Sequence, residues 1–109
     1  MKKISWLLMM LFSVITFGQG MKFEENKSFK DLLALAKKEN RLLFLDAYTT
    51  WCGPCKLMAK NIFPQEKVGD FYNANFINSK IDMEKGEGID LSKQYNVRAY
   101  PTYLFINGD

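Results

Sequence analysis

No histidine occurs anywhere in the 109 residues. That absence removes the usual general base of Ser-His and Cys-His hydrolases, and with it the commonest transition-metal ligand. Cysteine is scarce too: Cys52 and Cys55 are the only two, so a four-ligand zinc site has at most half of its sulfur and imidazole donors. A copper site built on cysteines and histidine fails for the same reason, and no metal is expected. No repeat, low-complexity tract or block of like charge is present. The formal charge is +3, from 15 basic and 12 acidic residues, and Lys2 and Lys3 supply most of that excess. A balance so close to neutral leaves no electrostatic footprint for nucleic acid or an anionic membrane surface.

What is present begins with a targeting pattern. Met1-Lys2-Lys3 is a short basic start, and Ile4 to Phe17 is apolar apart from Ser5, Ser13 and Thr16. This is the n-region and h-region of a secretory signal peptide, with small residues at Thr16 and Gly18 placing cleavage before Gln19. The competing reading is an uncleaved membrane anchor, since Ile4 to Met21 is uncharged and near the shortest length that spans a bilayer. The strongly apolar part is shorter, which favours a cleaved signal over residues 1–18 and one domain over residues 19–109. The expected location is the periplasm or the extracellular space, where disulfide chemistry matters.

Hydrophobic 48% and aromatic 15% suffice for a packed core. Ser28 is a helix N-cap candidate, and Phe29, Leu32, Leu33 and Ala36 follow at helical spacing, with an end near Asn40. Arg41 to Tyr48 is a nearly continuous apolar run, the pattern of a parallel strand buried on both faces. After Trp51 to Lys56 a second helix is expected, with Cys55, Met58, Ala59 and Ile62 on one face and Pro64 interrupting it. Gln65 to Asn75 continues as a helix with Val68, Phe71 and Tyr72 facing inward. Phe76 to Asp82 reads as a strand, Lys85 to Gly88 as a polar loop, and Ile89 to Tyr95 as a short helix with Asn96 as a left-handed cap. Thr102 to Ile106 is a further strand, and Asn107-Gly108 is a strong hairpin signal. Alternation of this kind predicts an α/β fold with a sheet between helices. The sequence stops at the hairpin signal, so a closing strand and helix are expected to be missing and the chain to be a fragment.

The chemistry concentrates in Trp51-Cys52-Gly53-Pro54-Cys55-Lys56. Two cysteines separated by two residues can close a small disulfide ring. At the start of a helix their roles diverge. Unpaired N–H groups and the helix dipole favour a thiolate on the first, Cys52, whose pKa falls from about 8.5 into a range of roughly 3.5–7.5. Cys55, one turn on and facing the core, is placed to resolve a mixed disulfide. Pro54 fixes the backbone at the helix start, and Gly53 permits close approach of another chain. A purely structural disulfide competes with this reading, but so short a ring constrains little unfolded-chain entropy.

These six residues resemble the active-site motif of the thioredoxin family at every position, and Val97 to Thr102 resembles the family's later segment. Thioredoxin is itself among the proteins that define the thiol pKa range just quoted. The resemblance runs from about Phe23 onward and is most similar to exported thioredoxin-like proteins of bacterial envelopes. It implies a thioredoxin-like fold with a central mixed sheet flanked by helices. It implies that Pro101 is cis and faces the cysteine pair, leaving the backbone of Tyr100 to pair with an extended substrate. It implies that Asp46 is a buried acid of raised pKa that exchanges a proton with Cys55, and that Lys80 on the next strand moderates it. Trp51 is expected to shield the disulfide and contact partners. The sequence departs from the family at Tyr100, where a smaller aliphatic residue is usual, at Thr49-Thr50 in place of a small and an acidic residue, and in the length of the loop Glu84 to Gly88.

The function so implied is thiol–disulfide exchange with protein substrates, working as a reductase outside the cytoplasm and supplied by a membrane electron donor. The cysteine pair is the only redox group required, no further cofactor is expected, and a monomer suffices. The alternatives are an oxidase or isomerase using the same site, and a thioredoxin-fold adaptor whose cysteines are idle.

Overall fold

A computed structural model of the protein describes residues 19–109; the expected signal peptide, residues 1–18, lies outside the described residues. The elements are α1 (Phe29–Glu39), β1 (Leu42–Tyr48), α2 (Gly53–Asn61), α3 (Glu66–Asn75), β2 (Phe76–Asp82), α4 (Gly88–Gln94) and β3 (Thr102–Ile106). The three strands form one mixed sheet in the order β2-β1-β3, with β2 parallel and β3 antiparallel to β1. Among the described residues no helix is long and apolar enough to cross a membrane.

β1 is central, and both of its faces are covered, which is why its sequence is continuously apolar rather than alternating. Leu43, Leu45 and Ala47 point to one face, where they meet Leu32 and Ala36 of α1, Ile77 of β2, and Met83 and Leu91 around α4. Phe44 and Asp46 occupy the opposite face. There the Phe44 ring lies 5.0 Å from Tyr72 of α3 and 5.6 and 5.3 Å from Tyr103 and Phe105 of β3.

The helix ends follow their local chemistry. Ser28 Oγ accepts from the Asp31 backbone N–H at 3.1 Å, and Glu87 Oε1 accepts from the Phe29 N–H at 2.7 Å, so two free donors of the first turn of α1 are satisfied. α1 stops at Asn40, in the left-handed conformation at φ 53°, and Asn96 adopts the same conformation at φ 54° after α4.

Two side chains expected inside lie outside. Ile62 is 37% exposed, and Phe63 is the buried residue instead. α2 ends at Asn61 ahead of Pro64, and the Ile62 and Phe63 N–H groups share the Met58 carbonyl, so helical spacing no longer applies there. Phe71 is 58% exposed, while Gly69 is the buried residue of α3. The segment 19–24 accounts for this: it crosses α3 at Gly69, where a Cβ would run into the Gln19 and Gly20 backbone. It is held there by hydrogen bonds from Met21 N to the Phe63 carbonyl and from Glu24 N to the Asn78 carbonyl, both 2.8 Å. Gly69→Ala tests this contact. A better helix former contributes about 1 kcal/mol, but a methyl driven into backbone costs about 1–3 kcal/mol. The expected outcome is a lower midpoint of denaturant unfolding and faster hydrogen exchange at the Met21 and Glu24 amides; a stability equal to or above that of the parent would refute the packing.

Candidate active site

β1 runs out at Tyr48, and the chain turns through Thr49, Thr50 and Trp51 before α2 begins at Gly53. Cys52 is the N-cap of α2, with extended backbone at φ −72° and ψ 109°. Its Sγ occupies the position of a capping oxygen and accepts the Cys55 backbone N–H at 3.1 Å. The first turn therefore directs an N–H donor and the positive end of its dipole at this sulfur, the arrangement that stabilises a thiolate. Pro54 lies in that first turn, where a missing N–H removes nothing.

Cys52 and Cys55 are joined by a disulfide. Relative exposure does not rank the two sulfurs as the sequence reading expected: Cys52 is 2% exposed and Cys55 6%. Room for an approaching chain lies beside them, since a Cβ on Gly53 would meet nothing within 4 Å. The Tyr100-Pro101 peptide bond is cis. The Trp51 indole is 64% exposed, stands edge-on to the Tyr100 ring at 6.0 Å, and donates from Nε1 to Glu84 Oε1 at 2.6 Å. Glu84 carries no local sequence signal for this role, because it lies in the loop after β2 and only the fold brings it to Trp51. The loop that departs in length is thus the one that holds the tryptophan.

Asp46 is 1% exposed in the middle of the sheet, and its Oδ1 has no hydrogen-bond partner. Strand register places it in a row across one face, with Lys80 of β2 on one side and Tyr103 of β3 on the other. Burial pushes the Asp46 carboxyl up to about 6, against the downward pull of the Lys80 ammonium. Burial, the Asp82 carboxylate and the Asp46 carboxylate raise Tyr48, and burial with Asp46 and Tyr72 raises Tyr103. The hydroxyls of Tyr103 and Thr49 are also buried without a partner; only strand register brings Tyr103 to Asp46, so it leaves no local sequence signal.

Lys80 is half-buried, and its Nζ sits 5.2 Å from the centre of the Tyr48 ring and 5.4 Å from that of Phe23. Among the described residues it makes no salt bridge, so it acts on Asp46 through its field rather than by contact. A cavity of about 230 Å³ is lined by Cys55, Lys56, Thr49, Tyr48 and Lys80, joining the Cys55 end of the disulfide to this charged row. Among the described residues no group of three or more His, Cys, Asp or Glu converges as a metal ion would require.

An α/β sheet whose central strand carries a buried acid and delivers a disulfide-forming pair to the start of a helix defines a dithiol–disulfide protein. A family model described as thioredoxin matches residues 20–109. A solved structure from Bacteroides thetaiotaomicron, provisionally named a disulphide-isomerase, is 51% identical with a TM-score of 0.74, covering 84% of this chain and 75% of that one. Thioredoxin-1 of Drosophila melanogaster is 37% identical over 62% of this chain and 59% of its own length. Thioredoxin-1 of Caenorhabditis elegans is 39% identical over 63% of this chain and 56% of its own. The chain belongs to the thioredoxin family. It spans between 41% and 62% of the length of the first curated relatives it matches.

The raised Asp46 fixes a pH dependence. A folded-state value of about 6 against 3.8 means that the native state holds this proton more tightly than the unfolded chain. Stability from this group is therefore greatest in acid and falls as pH rises from about 4 to 6, by roughly 3 kcal/mol in all. Asp46→Asn is expected to raise the unfolding free energy by about 2–3 kcal/mol at pH 8 and to change it little at pH 4. Denaturant titrations at the two pH values check this, and an effect independent of pH would show that burial does not set the acid.

Proposed function

We propose that the chain is a thiol–disulfide oxidoreductase that reduces protein disulfides outside the cytoplasm. The single observation carrying this reading is the sulfur of Cys52 at the N-cap of α2, accepting the Cys55 N–H, with Cys55 bonded to it. Cys52 thiolate attacks a partner disulfide, and one partner sulfur leaves as thiolate. Asp46, whose carboxyl near 6 leaves it mostly ionised at neutral pH, takes the proton of Cys55. The Cys55 thiolate then attacks Cys52 Sγ, and the partner's second sulfur leaves. Two electrons pass to the partner, and the Cys52–Cys55 disulfide forms. Trp51, Gly53, Pro54, Tyr100 and Pro101 make the surface that meets the substrate, with Lys56 beside Cys55. No cofactor beyond the pair is needed. Dithiol is regenerated by an electron donor in the membrane, and export rests on the basic start and apolar run of residues 1–18.

The direction of flow follows the Gly53-Pro54 dipeptide, which resembles that of reducing members. The name of the Bacteroides thetaiotaomicron protein favours a second reading, an isomerase using the same site. A reduction potential near about −270 mV, the general value for thioredoxins rather than one obtained from this site, is expected on equilibration with glutathione. A value near about −180 mV, typical of isomerases, would move the assignment to the second reading.

Cys55→Ser is expected to accumulate mixed disulfides through Cys52 with client proteins that carry a disulfide, and Cys52→Ser to accumulate none. Non-reducing electrophoresis with mass spectrometry reads both. If Cys55→Ser traps nothing while the protein remains folded, the chain is an adaptor and the enzymatic reading is lost.

A further inference from the structure

We propose that Phe23 is a positioning residue for this site: its ring and that of Tyr48 hold the Lys80 ammonium between them, beside Asp46. A segment that precedes α1 thereby governs when the buried acid carries charge. The consequence for catalysis rests on the reading of Asp46 as the proton acceptor of Cys55; the geometry and its test do not.

A lysine on a strand that faces a half-open groove has four rotatable bonds and would ordinarily spread into solvent. Here its Nζ lies over two aromatic faces from opposite elements, at 5.2 Å from Tyr48 of β1 and 5.4 Å from Phe23. Both distances fall within the range over which a ring quadrupole attracts a cation. Phe23 has little freedom to turn away. The Met21 and Glu24 amides on either side of it are hydrogen-bonded at 2.8 Å to the Phe63 and Asn78 carbonyls, and its ring packs on Phe63 at 5.6 Å. Lys22 N and the Gly20 carbonyl are both tied to the Asn73 side chain. The ammonium is thus fixed on the face of the sheet where strand register puts Asp46 beside Lys80.

Other titratable groups face this row. Tyr103 comes from β3, with Tyr72 of α3 behind it, and burial pushes the Tyr103 hydroxyl above its usual value. Asp82 borders Tyr48 from β2. Lys56 of α2 opens onto the same cavity, while Cys55 does not titrate in the disulfide. Glu24, Glu25 and Lys27 line the outer groove on the Phe23 side. Lys80 is the one of these that pulls the Asp46 carboxyl down, against burial.

The test is a titration of the Asp46 side-chain carboxyl by carbon-13 NMR in the oxidised, folded protein. Phe23→Leu keeps an apolar side chain but removes the ring face. The midpoint is expected to move upward from about 6 toward the value found for Lys80→Met. Phe23→Tyr, which keeps the ring, is expected to titrate like the parent. In a Lys80→Met background, Phe23→Leu is expected to add no further shift. A ring that served only as packing would lower the melting temperature and leave the midpoint in place, and that result overturns the proposal. So does a Phe23→Leu shift that persists without Lys80, since the ring would then act by excluding water. Because the titration needs no turnover, it separates the two readings: failure of Cys55→Ser to trap partners would remove the oxidoreductase assignment and leave this result standing.

Discussion

A helix that begins with unpaired N–H groups needs an acceptor, and in α2 that acceptor is sulfur. The same donors that would cap an ordinary helix are thereby turned on a reactive atom. Everything around the site serves to keep that sulfur there. β1, packed on both faces, brings the chain to the turn at a fixed height. Pro54 starts the helix without adding a competing donor, and Cys55 falls one turn along, close enough to bond to Cys52.

The buried acid of β1 works against the fold that holds it. A carboxyl 1% exposed with an unpartnered oxygen is less stable than an apolar side chain would be at neutral pH. Its lysine neighbour offsets part of the loss without a direct ion pair, so the carboxyl stays titratable near the working pH rather than locked in either state. Tight pairing would have brought its pKa down and made it a poor proton acceptor. The rings around the Lys80 ammonium therefore matter as much as its charge, because they hold it beside the carboxyl it moderates.

Much of this was legible in the sequence, for identifiable reasons. The strand Phe76–Asp82 and the strand Thr102–Ile106 have the bounds read from the sequence. Asn40 and Asn96 mark helix ends because few residues adopt a left-handed backbone. Cys52, Cys55 and Asp46 were readable from local spacing and family likeness. What escaped depends on the third dimension. Ile62 and Phe71 continue a helical stripe on paper, but one lies past the end of its helix and the other beside a glycine covered by a crossing segment. Glu84 under the indole, Tyr103 across from Asp46 and Phe23 over Lys80 are joined to the site by register and chain crossing. Neither leaves a local signal.

One feature of the site also makes it visible. Trp51 stands beside the disulfide, and it is the sole indole among the described residues; the other tryptophan of the sequence is Trp6, within the expected signal. Among the described residues, indole emission therefore originates at the residue next to Cys52 in the chain. The protein would then carry its own optical gauge of oxidation state, readable in a cuvette without any attached dye.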